Sequence, residues 1–360
     1  MAQLRVLVLL PYPVGHAPSQ RFRIEHFLGD LRSIAQVEID SFLDEDGWAI
    51  LYKPRHYLAK VCSIARGFVR RYALLASVRR YDAIWVHRET APLGWPVYGW
   101  LLTKAFKRKV FFEFDDAIWM PNVSHSNRLF AVIKPYRNAR FMMRNAHCNV
   151  AGNAWLAEFA RQLNPNTVCI PTVVDTENVH NRLQNQAIDD PVIGWTGSHS
   201  TLDYLEALVP LLEEVYRIQR FKLRVISDRK PTFDFPELDY VQWSAASEGD
   251  DLLGMHIGLM PLPDADWARG KCGLKLIQYM AMGIVPVASA VGVNPEIVSQ
   301  GSNGYLCHTP EEWKTALLRL LTEHKHRQAL AGNCRSAVIN RYSVESQRHK
   351  FLHLFTELHP

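Results

Sequence analysis

Two doubly wound α/β domains, facing each other across a cleft, are predicted for this 360-residue chain. Three observations predict them. Apolar runs of strand length alternate with amphipathic helical patterns over both halves. Each half opens with an apolar run that feeds a Gly-bearing turn, first at Gly15 and again at Gly197. A polar stretch at 176–190 lies between the halves and reads as a connector. The expected domains are 1–172 and 173–341, with a final segment at 342–360.

Composition fits that size. With 48% apolar residues the chain can bury two cores, and it is neither disordered nor fibrous. Six scattered cysteines without C-x-x-C spacing argue for a reduced, cytosolic protein. The first fifteen residues superficially resemble a leader, but the apolar run is only strand-length and Pro11, Pro13 and Gly15 break it. No run reaches the ~18 apolar residues of a membrane span, so any membrane contact is expected to be peripheral. The net charge of +5 is uneven: residues 1–172 hold 23 Lys and Arg against 13 acids, the remainder 18 against 23. A positive first half suits an anionic partner such as a membrane surface.

In chain order, the strand at Leu4–Leu10 is followed by a loop and a helical pattern reaching Leu31. Such a loop lies at the carboxyl edge of a parallel sheet, where ligands bind. Gly15, Ser19, Arg21 and Arg23 are candidates there for a phosphate or an acceptor; alternatively Ser19 caps the helix and the arginines are solvated. Residues 47–81 contain no acid. On a helical wheel Leu58, Val61, Ala65, Phe68, Val69, Tyr72, Leu75 and Ala76 share one side, while Lys60, Arg66, Arg70 and Arg71 share the other. Residues 56–80 thus either pack on their own domain or lie on an anionic lipid surface. Strands follow at 81–88 and from 109, the second leading into Asp115 and Asp116. This acid pair can orient or deprotonate an acceptor hydroxyl, or one of them can serve as a cap. Glu113 sits in the strand interior, and His87 is a further candidate.

The second half begins with a strand at 192–197 and a turn rich in Gly and Ser. Gly197 permits close backbone approach, and Ser198 can cap the next helix, expected at 202–218, or bind phosphate. Strands at 223–226, 240–243 and 256–260 follow; His256 there reads as structural. Residues 267–289 then make a cation-bearing loop, a helix from about Leu274 to Met282, a Gly283 stop and a buried strand. Arg269, Lys271 and Lys275 place positive charge where a diphosphate could rest. A last strand at 304–307 and helices at 310–321, 326–340 and 344–358 complete the chain. There is no repeat and no zinc spacing.

The 267–289 run resembles the C-terminal signature of family 4 (group 1) glycosyltransferases, in the branch reading Lys-x-x-x-Lys-Leu-x-Glu-Tyr-Met-Ala-x-Gly. Lys271 and Lys275 match it. The two glutamates usual in the family fall at Gly270 and Gln278; Gln278 can still hydrogen-bond ribose hydroxyls, whereas Gly270 has no side chain for a sugar. The resemblance extends to Gly-Trp-x-Gly-Ser around Gly197 and Ser198, which implies contact with the donor diphosphate. It also covers Asp-Asp-x-x-Trp at Asp115 and Asp116, near the transferred sugar, and Ser-x-Arg-Phe-Arg at Ser19. By the same resemblance the nucleobase lies near the turn after Trp243.

The resemblance implies a GT-B fold, a last helix crossing back to the first domain, and retention of anomeric configuration. It implies transfer from a nucleotide-diphosphate sugar to a glycan or lipid-linked acceptor, in bacterial-type glycan or glycolipid assembly. No metal, no cofactor and no nucleic-acid partner are expected. The alternatives are a non-catalytic GT-B scaffold that binds nucleotide or lipid, which the missing acids would suit, and a nucleotide-sugar epimerase.

Overall fold

The computed structural model describes residues 3–51, 53–92, 94–120 and 136–356. The chain divides into two compact units. One comprises Met1–Thr172, Gly270–Cys272 and Arg348–Pro360, the other Val173–Arg269 and Gly273–Gln347.

The first unit is built on six parallel strands: β1 (Leu4–Leu10), β2 (Ala35–Ser41), β3 (Ala83–His87), β4 (Lys109–Phe114), β5 (Cys148–Ala151) and β6 (Thr167–Cys169). Their order is β2-β1-β3-β4-β5-β6. Val6 to Leu10 are fully buried, as expected of a parallel strand covered on both faces. The chain leaves β1 for β2 on one side and returns to β3 on the other, so the carboxyl ends of β1 and β3 form the switch point. No strand is predicted over Ala35–Ser41, although Ala35, Val37 and Ile39 alternate there with Gln36, Glu38 and Asp40. Asp40 is nevertheless buried, paired with Arg70 and Arg71.

The second unit repeats the plan with β7 (Ile193–Gly197), β8 (Leu223–Ser227), β9 (Leu238–Gln242), β10 (Ile257–Met260), β11 (Val285–Ser289) and β12 (Tyr305–Cys307), in the order β12-β11-β10-β7-β8-β9. Its switch point lies between β7 and β10. The helix expected at 202–218 is divided into Leu202–Glu206 and Val209–Ile218. Pro210 stands in the first turn of the second piece, where a missing N–H does no harm. Gly283, at φ +67, terminates helix Leu274–Ala281 as expected.

The last helix, Val344–Thr356, closes the first unit: Phe351 stacks on Phe27 with centroids 4.4 Å apart and leans on Trp85 at 5.3 Å. Residues 357–358 of its predicted span lie outside the described residues.

Helix Tyr57–Ala73 reverses the predicted wheel. Its docked line is Ser63, Gly67 and Arg71; Leu58, Val61, Val69 and Tyr72 of the apolar stripe face outward, while Phe68 packs on Phe42 at 5.1 Å. Arg71 is buried, bonding Leu10 O at 2.9 Å and pairing with Asp40 at 2.6 Å, and Arg70 reaches Asp40 at 2.8 Å. A Cβ on Gly67 would stand 2.5 Å from Phe42 O, so the glycine sets the close approach. Buried Asp40 demands cationic donors, and that demand outweighs the usual rule that arginines face water. Among the described residues, no helix is long and apolar enough to cross a membrane.

Candidate active site

In the first unit the functional side chains gather at the carboxyl ends of β1, β3 and β4. The loop after β1 passes Gly15, at φ +91, whose N–H donates to Glu25 at 2.8 Å, and enters helix Pro18–Arg23. Ser19 Oγ lies 2.9 Å from Nε2 of His87, the last residue of β3. His87 Nδ1 is 2.5 Å from Glu113 Oε2, and Glu113 Oε1 accepts from Arg23 Nε at 2.6 Å. His87 and Glu113 are both fully buried. Burial alone would raise the carboxyl of Glu113, yet the charges of Arg23 and His87 prevail and hold it below the ordinary carboxylate range. Nδ1 therefore donates to Glu113, and Nε2 faces the Ser19 hydroxyl.

Two of the four loop candidates are not where a ligand would meet them. Arg23 is 3% exposed and spans Glu113 and Ile170 O, because a buried carboxylate needs a counter-charge. Arg21 lies over the Phe22 ring at 5.2 Å and acts on Glu25. Ser19 is the half-buried end of the polar chain.

Arg88 follows β3 in the left-handed region, at φ +61, a strained conformation for a residue with a Cβ. Its guanidinium donates to Ser19 Oγ at 3.3 Å, meets Asp115 Oδ1 at 3.2 Å and pairs with Asp116 Oδ2. Burial works against its charge, but Asp115 and Asp116 overcome that and hold it above the ordinary arginine range. Asp116 Oδ1 is 2.8 Å from Lys271 Nζ. The segment Gly270–Cys272 is fastened beside the acids: Asn153 Nδ2 donates to Lys271 O at 2.9 Å, and Cys272 Sγ donates to Asp115 O at 3.2 Å. Lys271 and the acid pair, expected in separate roles, thus meet. Arg88 was not among the expected residues, since no motif marks it; the signal is its backbone.

In the second unit Gly197 ends β7, and the turn beyond it links Ser198 Oγ to Ser200 Oγ at 2.8 Å. Lys275 Nζ stands 4.3 Å over the Trp195 ring and 3.5 Å from Thr201 Oγ1. A Cβ on Gly197 would come within 2.5 Å of Trp195 and 2.8 Å of Lys275 Nζ. A bare turn and an ammonium therefore converge at the switch point, an arrangement suited to an anion.

The remaining candidates are placed elsewhere. Gln278 is 3% exposed, and its amide meets His180 at 3.4 Å. Residues 276–281 of its helix are all buried, Gln278 among them. Arg269 is exposed and pairs with Asp264 at 2.9 Å. Trp243 continues the β8 ladder by bonding Ser227 O at 3.0 Å, and its indole donates to Glu248 at 3.3 Å. Gly270 is buried.

Residues 190–323 match the family model for glycosyl transferases, group 1. Over that stretch the chain resembles the group 1 glycosyltransferases. No curated protein sequence matches significantly.

Solved structures resemble this chain over its whole length. Sucrose-phosphate synthase from Thermosynechococcus elongatus superimposes with a TM-score of 0.72 at 14% identity, covering 99% of each chain. HepE of Anabaena in complex with UDP-glucose gives 0.68 at 15% identity, covering 98% of this chain and 100% of that one. The lipopolysaccharide outer core galactosyltransferase WaaB gives 0.62 at 12% identity, covering 98% and 100%. At such identities the likeness shows the fold, which is GT-B.

Proposed function

We propose that this chain is a group 1 glycosyltransferase that moves a hexose from a UDP-sugar to an acceptor hydroxyl, with retention, in glycan or glycolipid assembly. The observation that carries this reading is Lys275 poised over Trp195 beside the bare Gly197 turn. HepE has been solved with UDP and with UDP-glucose, and WaaB is described as a galactosyltransferase, which favours a uridine donor and a hexose.

In this reading the donor diphosphate lies against the backbone of the Gly197 turn and the Lys275 ammonium. Negative charge develops on the departing diphosphate, and a half-buried cation fixed in place stabilises it more than a solvated one would. Asp116 has one oxygen on Lys271 and the other on Arg88, so it orders cations. Asp115 and Ser19 then hold the acceptor hydroxyl. A leaving-phosphate oxygen takes the acceptor proton, so no protein nucleophile is required.

The acids usual in the family are replaced at Gly270 and Gln278, which favours the scaffold as the second reading. The experiment is incubation with UDP-glucose, UDP-galactose and UDP-N-acetylglucosamine, following UDP release and the anomeric configuration of the product by NMR. Release of UDP with an α-linked or α-hydrolysed sugar is expected. Donor binding without turnover or hydrolysis would establish the scaffold instead.

A further inference from the structure

We propose that the outward face of helix Tyr57–Ala73, together with Trp95 and Trp100, is a docking surface for an anionic lipid bilayer. The helix is held to its unit by Ser63, Gly67, Arg70 and Arg71, and on its opposite side Leu58, Val61 and Val69 are exposed among the described residues. Leu58 is 83% exposed, Val69 71% and Val61 63%, at the i, i+3, i+4 spacing of a single helical face. Beside its C-terminal end the Tyr72 ring meets Tyr98 at 5.6 Å, which brings helix Val97–Trp100 alongside. Trp95, at 87% exposed, and Trp100 extend the apolar surface. Scattered exposed apolar residues are ordinary, whereas a continuous stripe with indoles at one end marks an interaction surface.

The chemistry of the occupant follows from charge. Residues 47–81 and 90–112, which together supply this surface, contain no aspartate or glutamate. Exposed Lys53 and Arg55 precede the helix, and exposed Arg79, Lys104 and Lys107 lie beyond its other end. The Arg79 guanidinium stands 5.8 Å over the Phe106 ring, so those last cations share one neighbourhood. A second copy of the chain would set this cationic border against itself, a repulsive arrangement. A bilayer of anionic lipid offers the opposite charge together with an apolar layer for aliphatic side chains. Tyr and Trp suit the boundary between the two, since each has an apolar ring and a polar atom.

The test is flotation of the full-length protein with vesicles of phosphatidylcholine and of phosphatidylcholine mixed with phosphatidylglycerol, at low and high salt. The protein is expected to float with the anionic vesicles, less so at high salt, and to remain below with the neutral ones. The double variant Leu58→Glu/Val69→Glu is expected to bind about tenfold more weakly, because two apolar contacts become like charges facing the lipid. Its melting temperature should equal that of the wild type, since both side chains point to solvent. No flotation with anionic vesicles, or equal flotation of the double variant, overturns the proposal. So does conversion of a dimer to a monomer by the double variant in sedimentation, which would make a second copy the occupant.

Discussion

Lys271 Nζ lies 2.8 Å from Asp116 Oδ1, and the other carboxylate oxygen of Asp116 is taken by Arg88. One acid therefore keeps two cations side by side. In Asp116→Asn the two positive groups lose their common counter-charge and move apart. Turnover is expected to fall about 100-fold with the fold retained, because small misplacements of fixed charges have effects of that order. Steady-state kinetics checks this, and Asp115→Asn, measured alongside, should reduce kcat without altering the KM for donor.

Gly197 leaves room that no side chain could share. In Gly197→Ala the new Cβ meets the Trp195 ring and the Lys275 ammonium, at 2.5 and 2.8 Å. Lys275 has the flexible side chain and is the group that shifts. Donor affinity is expected to fall about tenfold, and overpacking against Trp195 should cost about 1–3 kcal/mol. Titration with UDP and a urea melt measure the two effects.

The buried pair of Arg23 and Glu113 gives a stability prediction. Arg23→Ala strands a carboxylate in the interior and should cost about 3–5 kcal/mol in urea unfolding at neutral pH. The folded-state pKa of Glu113 is depressed, so its contribution is present above the ordinary value of 4.5 and is lost as pH falls through the folded value. The gap between wild type and variant is therefore expected to narrow on acidification below 4.5.

His256 predicts an acid response of the second unit. Its Nδ1 accepts from Val192 N–H at 3.1 Å, and burial, reinforced by Arg327, lowers its pKa from 6.5 to about 4. Between those values the unfolded chain binds a proton that the folded one refuses, so stability falls as pH drops from 6.5 towards 4. His256→Asn keeps an acceptor and removes the titration. Melts across that window should be flatter for the variant.

Much of the fold was legible in the chain. The run Leu4–Leu10 reads as a buried strand because it is continuously apolar, and Gly283 reads as a helix stop because few other residues accept φ +67. What stayed hidden depended on partners far along the chain. Arg23, Arg70 and Arg71 read as solvated or ligand-facing until Glu113 and Asp40 are seen buried, for a helical wheel carries no knowledge of an acid on a neighbouring strand. Asp116 and Lys271 are 155 residues apart, and neither predicts the other. Gln278 is named by the family pattern alone, which says nothing of burial, and its helix is packed on nearly every side.

Isothermal titration of UDP against the wild-type protein and Lys275→Ala tests the central claim most directly. Removing the ammonium above Trp195 is expected to weaken UDP binding about tenfold or more, as loss of one charge-assisted contact to a diphosphate should. Unchanged affinity would place the donor elsewhere and contradict the account.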